Sequence, residues 1–478
     1  MATVLAVLAM VAGCKERASG PVVVSAIGEP PQLTNPNLEP LDPPSALLVE
    51  AVGQGLLRFD PSGQVEPALA QSWIVSDDGL RYTFRLARTT WANGSKITAE
   101  QVVARLRAAI SRSSKNPLKP LLGAVAEIEP MTDDVLEISL KGPRPNFLQL
   151  LAQPELAILR SNHGTGPFRA TQQGDGSVLL ALAVDEEETP AKDSAAGEII
   201  LRGEAAAMAV ARFERGLAAL VTGGTIGDLP IARAIEPPAA ALRFDPVAGL
   251  LGLSFVGTDE KLADPAVRRA LSMAIDRPSL VATLGVPDLQ PRASLLPLGI
   301  EELPSPALPD WGDSALPERR ELAANTIRGI RGDEPLTLRV AMPEGPGYRL
   351  VFAHLRRDWR AIGVTAEAVK ATDEADLRLV DRVAAANIAT WYLRRFTCDA
   401  SPLCSTEADS MLEGARNAAL FAERQALLAS ADRTLTDLTP FIPLTAPVRW
   451  SLVSPRLTGF QPNAFGRHFL GSLVTARR

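Results

Sequence analysis

The sequence predicts an α/β protein folded into more than one lobe, and three observations carry that expectation. Stretches with the two-residue period of strands and stretches with the 3.6-residue period of helices alternate along the chain. Several of the helical stretches bring their own start and stop residues. The 39 prolines and 35 glycines are scattered between short elements instead of forming a repeat. With 478 residues, 46% of them hydrophobic, the chain can bury two or three separate cores.

At the N-terminus, Ala2 to Gly13 is an uncharged apolar run. As a helix it would reach roughly 18 Å, too little for a ~30 Å hydrocarbon core. It reads instead as the apolar part of an export signal over residues 1–13. Val11-Ala12-Gly13-Cys14 resembles the bacterial lipobox, which implies cleavage before Cys14 and lipidation of its thiol, with residues 14–21 as a tether. The plainer alternative is a buried helix ending in an incidental cysteine.

Pro21 to Ile27 is β-branched and reads as a strand running into the turn Glu29-Pro30-Pro31-Gln32. Trp73-Ile74-Val75 and Leu80 to Leu86 are strands joined by Asp77-Asp78-Gly79. In the second of them Leu80, Tyr82, Phe84 and Leu86 alternate with Arg81, Thr83 and Arg85, giving one buried face and one wet face. Thr98 to Gln101 is a capping box. It opens a helix whose Val102, Val103, Leu106, Ala109 and Ile110 share a side. Leu251, Leu253 and Phe255 alternate as a strand. Asp264 then caps a helix with Pro265 at its first turn, and Val267, Ala270, Leu271, Ala274 and Ile275 form its stripe. Asp276 restarts a helix that stops at Gly285. Residues 335–370 read strand, helix, strand. Ala418 to Leu438 is an amphipathic helix, and Pro440 to Leu452 a strand. The stretches 223–247, 286–317 and 455–466 read as connectors.

Composition excludes several function classes. Lys and Arg total 49 against 55 Asp and Glu, a formal charge of −6 with no block of five like charges. A nucleic-acid binder held by phosphate contacts is not expected. The 3 histidines are far apart in sequence and leave little for a metal site or a catalytic triad. Cys398 and Cys404 flank five residues including Pro402, which suits a small disulfide loop in an oxidising compartment. A zinc pair is the rival reading, but no second Cys or His pair accompanies it.

Several segments taken in order are similar to the extracellular solute-binding proteins of family 5, the dipeptide, oligopeptide and nickel-chelate receptors of ABC importers. They are Gly55 to Asp60, Val65 to Trp73, Ser76 to Leu86, Asn93-Gly94 with Ile97 to Val102, Gly164-Thr165-Gly166-Pro167-Phe168, Val267 to Arg277, and Ala431 to Leu444. The resemblance covers nearly the whole mature chain. It implies a two-lobed, type II periplasmic-binding-protein fold that closes on its ligand. The first lobe would comprise residues 22–252 and 450–478, with 46–160 as an extra subdomain, and the second lobe 253–449.

The resemblance also points to contact residues. In peptide-binding relatives, the stretch after the first strand carries an acidic residue and backbone groups that pair with ligand. Glu29 to Leu33 occupies that stretch here, making Glu29 and Gln32 candidates. Pro30 and Pro31 lack the N–H groups such pairing would use. In the second lobe of relatives, an Asp three residues after a Trp binds the ligand's amino terminus. With Trp391 as that Trp, followed by Tyr392, the carboxylate is replaced by Arg394, beside Arg395, and Asp399 is the nearest acid. Guanidinium forks match oxyanions, so the swap predicts N-blocked or anionic solutes over free peptide amines. The plainer reading makes Arg394 a surface residue paired with Asp399 or Glu374.

The function implied is a non-catalytic, lipid-anchored receptor, monomeric and free of cofactor or metal. It would deliver a peptide-like solute to an ABC permease and its ATPase from the periplasm or cell surface. A same-fold sensor without a transporter is one alternative. A secreted hydrolase is another, without a nucleophile, base and orienter at useful spacing.

Overall fold

The computed structural model describes residues 20–91, 93–144, 146–160, 163–183, 197–257, 260–332 and 334–475. The export signal and Cys14 lie outside these residues, as does most of the tether.

Two mixed sheets organise the molecule. The first has seven strands, in the order Phe168–Gln172, Val178–Leu182, Glu198–Glu204, Val22–Ile27, Leu220–Thr225, Arg449–Val453 and Leu242–Asp245. Val22–Ile27 is central and runs parallel to both neighbours. Its Val22, Val24 and Ala26 point into a core shared with Leu47, Leu48 and Ala51 of helix Pro43–Val52. That helix starts where the Asp42 side chain accepts the N–H of Ser45 and Pro43 needs no partner.

The second sheet has five strands, in the order Val364–Lys370, Leu336–Met342, Leu377–Val383, Gly249–Phe255 and Phe441–Thr445. The chain passes between the sheets through residues 246–248 and returns through 446–448. The sequence reading divided the lobes after 252 and after 449, which would cut the strands Gly249–Phe255 and Arg449–Val453. At the first crossing Gly249 has φ +153°, and a Cβ there would run into the carbonyl of Arg382.

A four-stranded antiparallel sheet of Ala70–Val75, Arg81–Leu86, Val135–Leu140 and Val125–Pro130 forms a subdomain with helix Ala99–Ile110. Tyr82, Phe84 and Leu86 are buried, as are Val102, Val103 and Leu106. The capping box is formed by Thr98 and Gln101. This core continues into the second lobe through Phe147, Tyr392, Phe396 and Leu428. Helix Pro43–Val52 packs on the first sheet, so the subdomain begins after it and not at residue 46.

Other expectations need revision. Pro440 to Leu452 is two strands in different sheets, because Pro447 has no N–H and the chain changes lobes there. The supposed connector 223–247 holds helix Leu229–Ala234 and strand Leu242–Asp245, both too short to show a period. The helix expected from Ala418 begins at Phe421, and Ala418 closes a separate helix, Thr406–Asn417.

Two recognisable motifs prove structural. Buried Arg268 donates to the carbonyls of Leu262, Ala263, Leu438 and Thr439. Buried Arg277 donates to Pro443 and Ser272, clamping the edge strand of the second sheet. Gly166 donates its N–H to Val52 at 2.7 Å, in a contact with that carbonyl that leaves no room for a Cβ.

Candidate functional site

A cavity of about 660 Å³ lies where the two lobes and the subdomain meet. Its size and its convergent polar groups are those of a small-molecule site. A hollow of about 820 Å³ at the hinge linkers is lined mainly by proline and aliphatic residues, and offers fewer groups to orient a ligand.

The first lobe contributes Asp42 and Glu50 from helix Pro43–Val52 and its cap, Thr222 and Gly223 from a central strand, and Arg449 from the returning strand. The C-terminal segment adds Arg467 and His468. From the second lobe come Asp381 and Arg382, at the end of strand Leu377–Val383, and then Trp391, Arg394 and Arg395. Gln153 and Glu155 close the subdomain side.

Most of these charges are committed to one another. Asp381 accepts from Arg449 Nη1 and from the Tyr348 hydroxyl, each at 2.8 Å, a tie between the two lobes across the hinge. Arg467 pairs with Glu155 at 2.6 Å, and His468 Nε2 lies 3.2 Å from Asp245. Arg394 donates to the carbonyl of Pro120 at 2.6 Å. Gln153 donates to Ala385 at 2.7 Å, so the subdomain is bound to the second lobe from both sides of the cavity.

Arg395 differs. Its guanidinium lies over the Trp391 ring, 4.4 Å from the centroid, and its buried Nε has no hydrogen-bond partner. Burial, and then the nearby Arg382, push its pKa down to about 10, so it still carries its charge at neutral pH. Glu50 is the second exception. Among the described residues it has no hydrogen bond or ion pair, and burial raises its carboxyl to about 7 against the pull of Arg467.

Of the residues singled out from the sequence, Trp391, Arg394 and Arg395 line the cavity together. Arg394 is paired with neither Asp399 nor Glu374; the latter sits near Arg339. Tyr392 does not reach the cavity: it is fully buried beside Trp391, with its hydroxyl bonded to Asn387. Asp399 is exposed and absent from the lining. Glu29 and Gln32 are exposed elsewhere, because after Ile27 the chain stays against strand Glu198–Glu204, Gly28 donating to Glu204. Gln32 borders a separate hollow with His163 and Arg169. The sulfurs of Cys398 and Cys404 lie at bonding distance, 2.10 Å. Among the described residues no group of three or more His, Cys, Asp or Glu is placed to hold a metal, and no helix is long and apolar enough to cross a membrane.

The sequence reading passed over Glu50, Glu155, Arg382, Arg449 and Arg467. Glu50 left one visible trace, a lone charge inside the apolar run Ala46 to Val52.

The model of bacterial extracellular solute-binding proteins, family 5 Middle, matches residues 64–398. Di/tripeptide-binding protein 2 of Pseudomonas aeruginosa is 26% identical, over 85% of this chain and 86% of its own. Among solved structures, Haemophilus influenzae OppA in complex with RPPGFSPFR aligns with a TM-score of 0.80 at 17% identity, over 95% of this chain and 98% of its own. The binding protein AgaA of A. tumefaciens R10, in complex with agropinic acid, aligns with a TM-score of 0.74 at 18% identity, over 95% and 98%.

Proposed function

The chain belongs to the family 5 bacterial extracellular solute-binding proteins, and from that premise we propose a lipid-anchored receptor that captures a small oxyanion-bearing, peptide-like solute for an ABC permease. Lipidation of Cys14 would hold it at the outer face of a bacterial membrane, and the lobes would close about the linkers 246–248 and 446–448.

The observation that carries the ligand class is Arg395. A guanidinium held over an indole at the cavity wall, with its buried Nε–H lacking a protein partner, suits recognition of an oxyanion. Arg394 lies on the same wall, but one of its nitrogens is taken by Pro120. Arg382 adds to the positive field. A ligand ammonium approaching this wall meets like charge. The di/tripeptide-binding relative, which aligns over 85% of this chain, supports a small peptide-like solute.

Native mass spectrometry of the purified protein tests the class, and calorimetry with Arg395→Ala and Arg394→Ala tests the residues. The expected ligand carries a carboxylate or phosphate, and Arg395→Ala should weaken it about tenfold or more, as for loss of a charge-assisted bond. A purely cationic ligand, or unchanged binding in both variants, would overturn the proposal.

A further inference from the structure

The cavity also has a wall opposite in charge to the arginines. Four carboxylates line it: Asp42, Glu50, Glu155 and Asp381. Asp42 caps its helix, Glu155 holds Arg467, and Asp381 holds Arg449 and Tyr348. Among the described residues, the basic groups that act on Glu50 each have another acid as partner. Arg467 is on Glu155, His468 on Asp245, and Arg58 on Glu66 at 2.7 Å. Glu50 is therefore left without a salt-bridge partner at the cavity surface, although helix Pro43–Val52 presents apolar residues almost everywhere else.

We propose that Glu50 receives the ammonium or other cationic group of the ligand, so that the solute lies across the cavity as a zwitterion, its cation on the first lobe and its oxyanion on Arg395 of the second. This rests on the proposed function above and fixes an orientation for it. Free peptides are then admitted with their polarity reversed relative to a receptor whose second lobe carries an anchoring Asp. Such a ligand also joins the two lobes by opposite charges at its ends, so binding favours the arrangement in which both walls are reached.

The proposed contact has a pH signature. Burial and the neighbouring Glu155 hold the Glu50 carboxyl near 7, while Arg467, His468 and Arg58 oppose them. A ligand cation stabilises the ionised form, so binding releases a proton below that pH. Affinity is expected to fall as pH drops below about 7, by up to about tenfold per pH unit.

Calorimetry with trialanine, N-acetyl-trialanine and trialanine amide, on the wild-type chain and Glu50→Gln, tests this. Expected results are a ten- to hundredfold (roughly) weaker binding of trialanine by Glu50→Gln, unchanged binding of the N-acetyl form, and loss of the pH slope. Retained N-acetyl binding shows that the variant is folded. Equal losses for the free and acetylated peptides, or none, would overturn the role of Glu50 while leaving the oxyanion site standing. Failure of the wild-type chain to bind any of the three would overturn the peptide-like function together with this orientation.

Discussion

Glu50→Gln should make the ligand-free protein more stable, and the gain should grow with pH. Burial raises the Glu50 carboxyl from 4.5 to about 7. Between those values the folded state keeps a proton that the unfolded chain has released. Wild-type stability therefore falls as pH rises through that window. At about 1.36 kcal/mol per pH unit the loss reaches at most about 3 kcal/mol by pH 8, with about 1 kcal/mol accrued at pH 5. Water entering the cavity solvates part of the carboxylate, which makes that figure a ceiling. Glutamine does not ionise and escapes the loss. At about 2.1 cal/mol/K per residue, unfolding this chain as one unit turns 3 kcal/mol into a rise of about 3 °C in Tm. If the first lobe unfolds separately, the rise is larger. Scanning calorimetry of both proteins at pH 5 and pH 8 is the assay. A gain at pH 8 that shrinks to about 1 °C or less at pH 5 is expected. Equal Tm values at pH 8, or the same gain at both, would refute the argument that an unpaired, partly buried carboxylate sits there. A variant that gains stability and loses ligand would also show directly that this position is strained for binding.

Other outcomes follow from other parts of the molecule. Glu302 is buried, with one oxygen on Arg424 and the other on the N–H of Ala389; Glu302→Ala should cost about 3–5 kcal/mol by stranding the guanidinium, read as a lowered urea midpoint. Cys14→Ser should move the protein from the membrane fraction to the soluble one, and an unchanged distribution with residues 1–13 still attached would count against lipidation. Cys398 and Cys404 should resist alkylation until a reductant is added; two thiols alkylated without one would contradict the disulfide.

What the sequence revealed follows the range of the forces involved. The capping box at Thr98, the Asp264 and Asp276 caps and the alternation from Leu80 to Leu86 are local signals, and each element appears where those residues place it. Strand Leu242–Asp245 was hidden because four residues show no period, and its pairing comes from a segment far along the chain. The site was partly legible: Trp391 and Arg394 came from a motif with fixed spacing, and Arg395 only as the neighbour of Arg394. Glu50 could not be recognised as unpaired, because that depends on which cations the fold assigns to Glu155, Asp245 and Glu66. Tyr392 and Trp391 are neighbours in sequence with their rings in edge contact, yet only Trp391 reaches the cavity wall, which depends on how their short helix packs.

The strand order of the first sheet sets a timetable for synthesis. Leu242–Asp245 touches that sheet through Arg449–Val453, which lies between it and Leu220–Thr225. The intervening stretch of roughly 200 residues takes about 10–40 s to translate. Until it is made, Leu220–Thr225 presents an open edge and Leu242–Asp245 has no ladder to join. The nascent chain therefore cannot complete its first lobe before almost all of it exists. For a chain that we propose is exported, such a delay would favour passage through a narrow channel before the first lobe closes. A version ending at residue 448 should exchange its amide hydrogens freely at 242–245, however long it is left to fold.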